Sequence, residues 1–228
     1  MDQIPRLLPV PGGTFLMGND QGRPDERPAH VVEISPFRAG QSPVTNRQYA
    51  AYLEATGAEP PPFLAEPRFA ALDAPVVGVN WFEANTYCRW LSTITGTQFR
   101  LPTEAEREFA ALGGLPGGDW PWFETPLAFI RWLESLDGPH EPQPGCSNGY
   151  DLLCVAENVH EWTLDWYDPA YYGCSPRTNP AGPVEGRRRA SRGGSWRHRE
   201  KVTRINARSS IPPEFRYSDF GFRVYAEA

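Results

Sequence analysis

Glycine and proline interrupt this chain so often that long regular elements are ruled out: they supply 21 and 25 of its 228 residues. Glycine inside an element costs backbone entropy, and proline removes a hydrogen-bond donor while fixing φ. The chain must fold through short elements joined by much irregular backbone, which argues against a helical bundle. An apolar content of 40% and an aromatic content of 13% still provide a core. The length suits a single domain over residues 1–228.

Helical signals are confined to the front half. Thr45 or Asn46 offers a capping oxygen for a first helix, Tyr49, Tyr52 and Leu53 share its apolar face, and Gly57 ends it. Asn80 and Glu83 stand at capping-box spacing before a stripe of Trp81, Ala84, Tyr87, Cys88 and Leu91 that stops at Gly96. Thr103 and Glu106 repeat the spacing before Ala105, Phe109 and Leu112. Thr125-Pro126 predicts a fourth helix lined by Leu127, Ile130, Leu133 and Leu136. Residues 14–17, 30–34 and 75–79 read as short strands. Beyond residue 139, turn signals dominate and the runs 159–162 and 222–225 are strand-like. Helices in front and strands behind make the class α+β.

The net charge is −6 and the pI about 5.3. That balance argues against nucleic acid or a membrane surface as a general partner. No apolar run is long enough to span a bilayer, and no basic-then-apolar leader opens the chain, so a cytoplasmic location is expected. Cys88, Cys146, Cys154 and Cys174 form no CxxC pair and none adjoins a histidine, so the spacing carries no zinc signature. Free thiols are expected, with Cys88 and Cys154 in the core.

Several groups could carry chemistry. Asn158 and Glu161 offer oxygen ligands, and the carbonyls between them more, as a hard cation such as calcium requires; an ordinary hydrogen-bonded turn explains the same residues. His160 reads as structural. Glu104, Glu106 and Glu108 suit the N-terminal dipole of the third helix. Arg187, Arg188, Arg189, Arg192, Arg197 and Arg199 read either as a solvated loop paired with Glu185 and Glu200 or as a holder of an anion. The glycine pair in Arg192-Gly193-Gly194-Ser195-Trp196 opens a charged, irregular excursion that returns at Asp219-Phe220-Gly221-Phe222-Arg223-Val224. Such excursions on a fixed scaffold commonly carry function.

Taken in order, the motifs resemble the formylglycine-generating enzyme (sulfatase-modifying factor) family over about residues 10–226. They run from Phe15-Leu16-Met17-Gly18 through Pro43-Val44-Thr45-Asn46, Val79-Asn80-Trp81 and Arg100-Leu101-Pro102-Thr103-Glu104-Ala105-Glu106. They continue through Asn158-Val159-His160-Glu161-Trp162 to Arg192-Gly193-Gly194-Ser195-Trp196 and Gly221-Phe222-Arg223. The resemblance implies a C-type-lectin-like α+β fold of small antiparallel sheets, peripheral helices and much loop. It also implies structural calcium, held by Glu157, Asn158, the Val159 carbonyl and Glu161. Active members of that family hold copper(I) on two cysteines just after the Gly-Gly-Ser motif and oxidise a cysteine of a sulfatase peptide; soft thiolates suit copper(I). No cysteine follows Cys174 here, so copper is not expected.

Three readings follow from the resemblance. One is a non-catalytic member binding a peptide, protein or small molecule in a cleft near Trp162, Ser195, Trp196, His198, Arg204, Arg208 and Asp219. Another is an oxidoreductase acting on a peptidyl cysteine or thiol through a different metal site. The third is a ligand-recognition protein diversified by a retroelement.

Overall fold

A computed structural model describes residues 3–115, 126–143, 147–198 and 200–228. In chain order the elements are β1 (Leu7–Val10), β2 (Gly13–Met17), β3 (His30–Ile34), β4 (Phe37–Gly40), α1 (Asn46–Thr56), α2 (Trp81–Thr95), β5 (Phe99–Arg100), α3 (Glu104–Leu112), α4 (Pro126–Glu134), β6 (His160–Trp166), β7 (Arg189–Arg192), α5 (Glu200–Thr203), β8 (Ser209–Ile211), β9 (Phe220–Gly221) and β10 (Tyr225–Glu227). The strands form three sheets, ordered β1-β4-β10-β5, β2-β3 and β8-β7-β6-β9. Only β6 with β9 pairs in parallel among these ladders. This is the α+β class expected. No helix among the described residues is long and apolar enough to cross a membrane.

The first three helices begin where the sequence places them. Thr45, Asn80 and Thr103 each accept from the backbone N–H three residues on, and the side chains of Gln48, Glu83 and Glu106 accept in return. Left-handed glycines 57, 96 and 113 close the three helices. A core of α1 and α2 side chains packs on the chain's last strands. Tyr49 stacks on Tyr87 at 5.5 Å, and Phe222 meets both rings edge-on at 6.2 and 5.3 Å. A second core joins α3 to the sheets through Phe109, Phe37, Ile34 and Tyr225. In α4 the buried face is Phe129 and Leu133, while Leu127 is exposed; Thr125 lies outside the described residues.

Three local expectations change. Residues 75–79 are buried but make no strand, because their backbone bonds irregular partners. Val76 N–H donates to Val44, and Gly78 N–H to Tyr217 and Phe220. Residues 222–225 are not one strand: the chain leaves β9 at Gly221 and enters a different sheet at Tyr225. Between these strands Arg223 points into the interior, fully buried. The excursion after Trp196 is not continuous loop, since it holds α5 and β8.

Helix α3 is buried on every side, including Glu104, Glu106, Arg107 and Glu108. A helix dipole does not account for so many interior charges; arginines do. Arg208 binds Glu104 through two hydrogen bonds, at 2.8 and 2.9 Å. Arg192 pairs with Glu108, and Arg100 grips Glu106 with two bonds of 2.7 Å. Of the basic cluster, Arg187, Arg188 and Arg197 are exposed, as a solvated loop requires. Arg192 is buried, and the guanidinium of half-buried Arg189 lies 3.8 Å from the ring of Trp81 and 3.4 Å from that of Trp166.

Candidate functional site

The two glycines let the loop after β7 dock its backbone against the 156–158 turn. Gly193 has a φ of 76°, and a Cβ on Gly194 would lie 2.2 Å from Thr203 and 2.5 Å from the Ala156 carbonyl. Gly194 N–H donates to Ala156 and Trp196 N–H to Asn158. Ser195 is thereby fully buried, with its Oγ donating to Asp219 Oδ2 at 2.9 Å and lying 2.7 Å from His198 Nδ1. Since the single hydroxyl proton goes to Asp219, the contact with His198 requires Nδ1–H to donate to Ser195. Arg197 Nη1 stands 3.6 Å from the same carboxylate.

This arrangement differs from a nucleophilic triad. In a triad the imidazole takes the serine proton and the carboxylate orients the imidazole. Here the carboxylate takes the serine proton itself, and the hydroxyl is closed to solvent. The ring of His198 contacts that of His160 at 4.5 Å. Burial first, and His198 second, push His160 down to about 3. Burial also lowers His198, against the raising influence of Asp219. The two rings therefore enter the site as neutral donors and acceptors near neutral pH.

Beside them is a cavity of about 340 Å³ lined by His160, His198, Arg188, Ser210, Phe215 and Tyr217, among others. Phe215 and Tyr217 stack at 6.0 Å and are each 45% exposed. Arg188 reaches Ser210 at 2.9 Å. The chemistry on offer is hydrogen bonding, one guanidinium and an accessible aromatic face.

The expected binding residues divide. Ser195, His198 and Asp219 come together, and only His198 of these lines the cavity. Trp196 adjoins them, its Nε1–H 3.4 Å from the Ser218 carbonyl and its ring 4.3 Å from the Arg68 guanidinium. The other three lie elsewhere. Trp162 is fully buried and donates to the Val79 carbonyl at 2.8 Å. Arg204 holds Glu26 through bonds of 3.0 and 2.7 Å, and Arg208 is committed to Glu104. The sequence does not assign His160, Phe215 or Tyr217 to binding, and it offers Arg188 only within the basic cluster as a holder of an anion. The alternation Phe215, Tyr217 after Pro212-Pro213 was the one sequence sign of an exposed aromatic face.

The expected calcium ligands are otherwise engaged. Both oxygens of Glu161 are held by Arg107, at 2.8 and 3.0 Å, and by Arg223, at 3.1 and 2.9 Å. Arg107 Nη2 also donates to the Val155 carbonyl at 2.8 Å. Asn158 Oδ1 accepts from His140 N–H, and its Nδ2 donates to the His140 carbonyl. Glu157 accepts from Ala156 N–H, and burial raises it to about 7. A calcium ion needs six to eight oxygens free to face it. Two guanidiniums already neutralise the one fully ionised carboxylate of the set, so these residues as arranged do not fit calcium. Arg107, which no sequence motif flagged, is the reason.

Residues 1–228 match the family model described as "Sulfatase-modifying factor enzyme 1-like domain". A formylglycine-generating enzyme of Streptomyces coelicolor is 32% identical over 96% of this chain and 88% of its own. The mouse protein named inactive C-alpha-formylglycine-generating enzyme 2 is 30% identical, over 99% of this chain and 87% of its own. The serine/threonine-protein kinase pkn1 of Chlamydia caviae is 33% identical over 94% of this chain, which spans only 37% of that kinase. Among solved structures, PvdO from Pseudomonas aeruginosa superposes with a TM-score of 0.88 at 26% identity, covering 100% of this chain and 96% of that one. Treponema denticola variable protein 1 gives 0.85 at 26% identity, over 97% and 95%.

Proposed function

Because the chain belongs to the sulfatase-modifying factor enzyme 1-like family, we propose that it is a ligand-binding member that has given up oxidation. Its ligand, a peptide, a protein segment or a small molecule, sits in the cavity between His198 and the Phe215–Tyr217 aromatic face. One observation carries this reading. The loop after the glycine pair presents Ser195, tied to Asp219, and a neutral His198, and no cysteine follows Cys174 anywhere in the chain. Copper(I) chemistry needs soft donors, and a single imidazole does not replace a pair of thiolates. The aromatic face and Arg188 supply apolar contact and charge-assisted hydrogen bonding, the usual means of holding a ligand in orientation. The likeness to a relative named inactive C-alpha-formylglycine-generating enzyme 2 supports this reading.

The test is incubation of the purified chain with copper, oxygen and a sulfatase-type cysteine peptide, followed by mass spectrometry of the peptide. The expected result is unchanged peptide and no stoichiometric copper(I) bound at the loop. Conversion of the cysteine to an aldehyde would establish the oxidoreductase reading instead.

A further inference from the structure

The sequence carries no zinc signature, yet folding brings three candidate soft and borderline ligands together from two separate segments. One ligand atom each from His140, Cys154 and Glu157 lie within 4.8 Å of one another. Cys154 and Glu157 are buried in the turn that leads into β6, and His140 arrives from the chain after α4. We propose that these three side chains form a binding site for a zinc-class divalent cation, with the fourth position taken by water.

The geometry of His140 points there. Its Nδ1 lies 3.0 Å from the Glu141 carbonyl, an acceptor only, so Nδ1 carries the proton. That leaves Nε2 as a bare lone pair, shielded from solvent and without a hydrogen-bond partner. Buried acceptors without donors are rare in native interiors. A histidine whose other nitrogen donates to a backbone carbonyl is the arrangement that orients metal-binding imidazoles. The residue is also fixed in place. Asn158 grips its backbone N–H at 3.2 Å and its carbonyl at 2.7 Å, and the Trp132 ring meets the imidazole edge-on at 5.2 Å. Cys154 and Asn158 hold the opposing turn with φ of 57° and 77°, left-handed values uncommon for residues with a Cβ.

The donor set selects the ion. A thiolate, an imidazole and a carboxylate suit zinc and its neighbours, whereas calcium takes oxygen alone. Thiolate and carboxylate together balance two positive charges. Zinc–sulfur and zinc–nitrogen distances of about 2.3 and 2.0 Å place tetrahedral ligands about 3.3–3.6 Å apart. The three side chains need to close by about 1 Å, a rotamer-scale adjustment. None of the three residues lines the cavity next to His198, so a cobalt readout at them can fail or succeed separately from ligand binding in that cavity.

Cobalt(II) titrated into the reduced full-length chain tests the proposal. One equivalent is expected to give a sulfur-to-cobalt charge-transfer band and tetrahedral visible absorption, both displaced by zinc. Cys154→Ser is expected to abolish the charge-transfer band, and Cys146→Ser and Cys174→Ser to keep it. His140→Gln, at a less buried position, is expected to weaken binding at least tenfold while keeping the near-ultraviolet circular dichroism of the parent. Zinc at a hundredfold over its dissociation constant is expected to raise the parent's melting temperature by about 5–10 °C. Absence of the band in the parent, its survival in Cys154→Ser, or full affinity in His140→Gln would each overturn the assignment.

Discussion

The Glu161 carboxylate, Arg107 and Arg223 are all buried, and each guanidinium makes two hydrogen bonds to the carboxylate. Removing the shared acid leaves two interior cations without their partner. Breaking a buried pair costs about 3–5 kcal/mol. For a chain of this size, Glu161→Gln is expected to lower the melting temperature by about 6–20 °C. Because Arg107 supplies the positive charge, added calcium should leave the parent's melting temperature unchanged; a calcium-dependent rise would show that the ion displaces a guanidinium. The oxygen chemistry of Asn158 and Glu161 was legible in the sequence. The partner was not, since Arg107 stands 54 positions away, and arginine is ordinarily a surface residue. His160 was read as structural, and its lack of solvent bears on that reading directly: its imidazole should remain neutral at pH 5 in an NMR titration.

Elements whose signals are local were the readable ones. Each of the first three helices declares itself within four residues, through a capping oxygen answered by Gln or Glu. Asn80→Ala removes one side of that exchange and is expected to cost about 1 kcal/mol, measured by urea unfolding; no change would mean that the partly buried N–H finds another acceptor. Residues 75–79 and 222–225 were misread because an apolar run only reports burial. Whether a buried run joins a ladder depends on what lies beside it. Beside Gly78 lie Tyr217 and Phe220, contacts that no local window contains. The same limit hid the metal-type cluster, whose histidine and cysteine are 14 positions apart by the pairing of His140 with Cys154.

At the scale of the whole molecule, interior acids and bases set the response to pH. Burial alone would raise Glu104 and Glu161, but Arg208 and Arg192 for the first, and Arg107 and Arg223 for the second, more than offset it, and both fall below their ordinary 4.5. A depressed carboxylate stabilises the fold above its unfolded value, and that stability is lost as pH falls through the folded one. His160 acts in the same direction from higher up, because the unfolded chain protonates near 6.5 while the folded ring resists to about 3. Glu157, raised to about 7 by burial, acts in the opposite direction over the same range, so the urea midpoint is expected to change little between about pH 6.5 and 4.5 and to decline below about 4.5. A midpoint that already falls from about pH 6.5 would mean that Glu157 is ionised in the folded chain and does not offset His160. The sheet that holds β10 has another consequence. Arg38 in β4 bonds Glu227 in β10 across 189 positions, and β10 then pairs with β5 on its far side. At about 5–20 residues per second, β4 leaves the ribosome on the order of ten seconds or more before its neighbour exists. Until then its edge stands open, and the nascent chain has to be kept from strangers by chaperone or by chance.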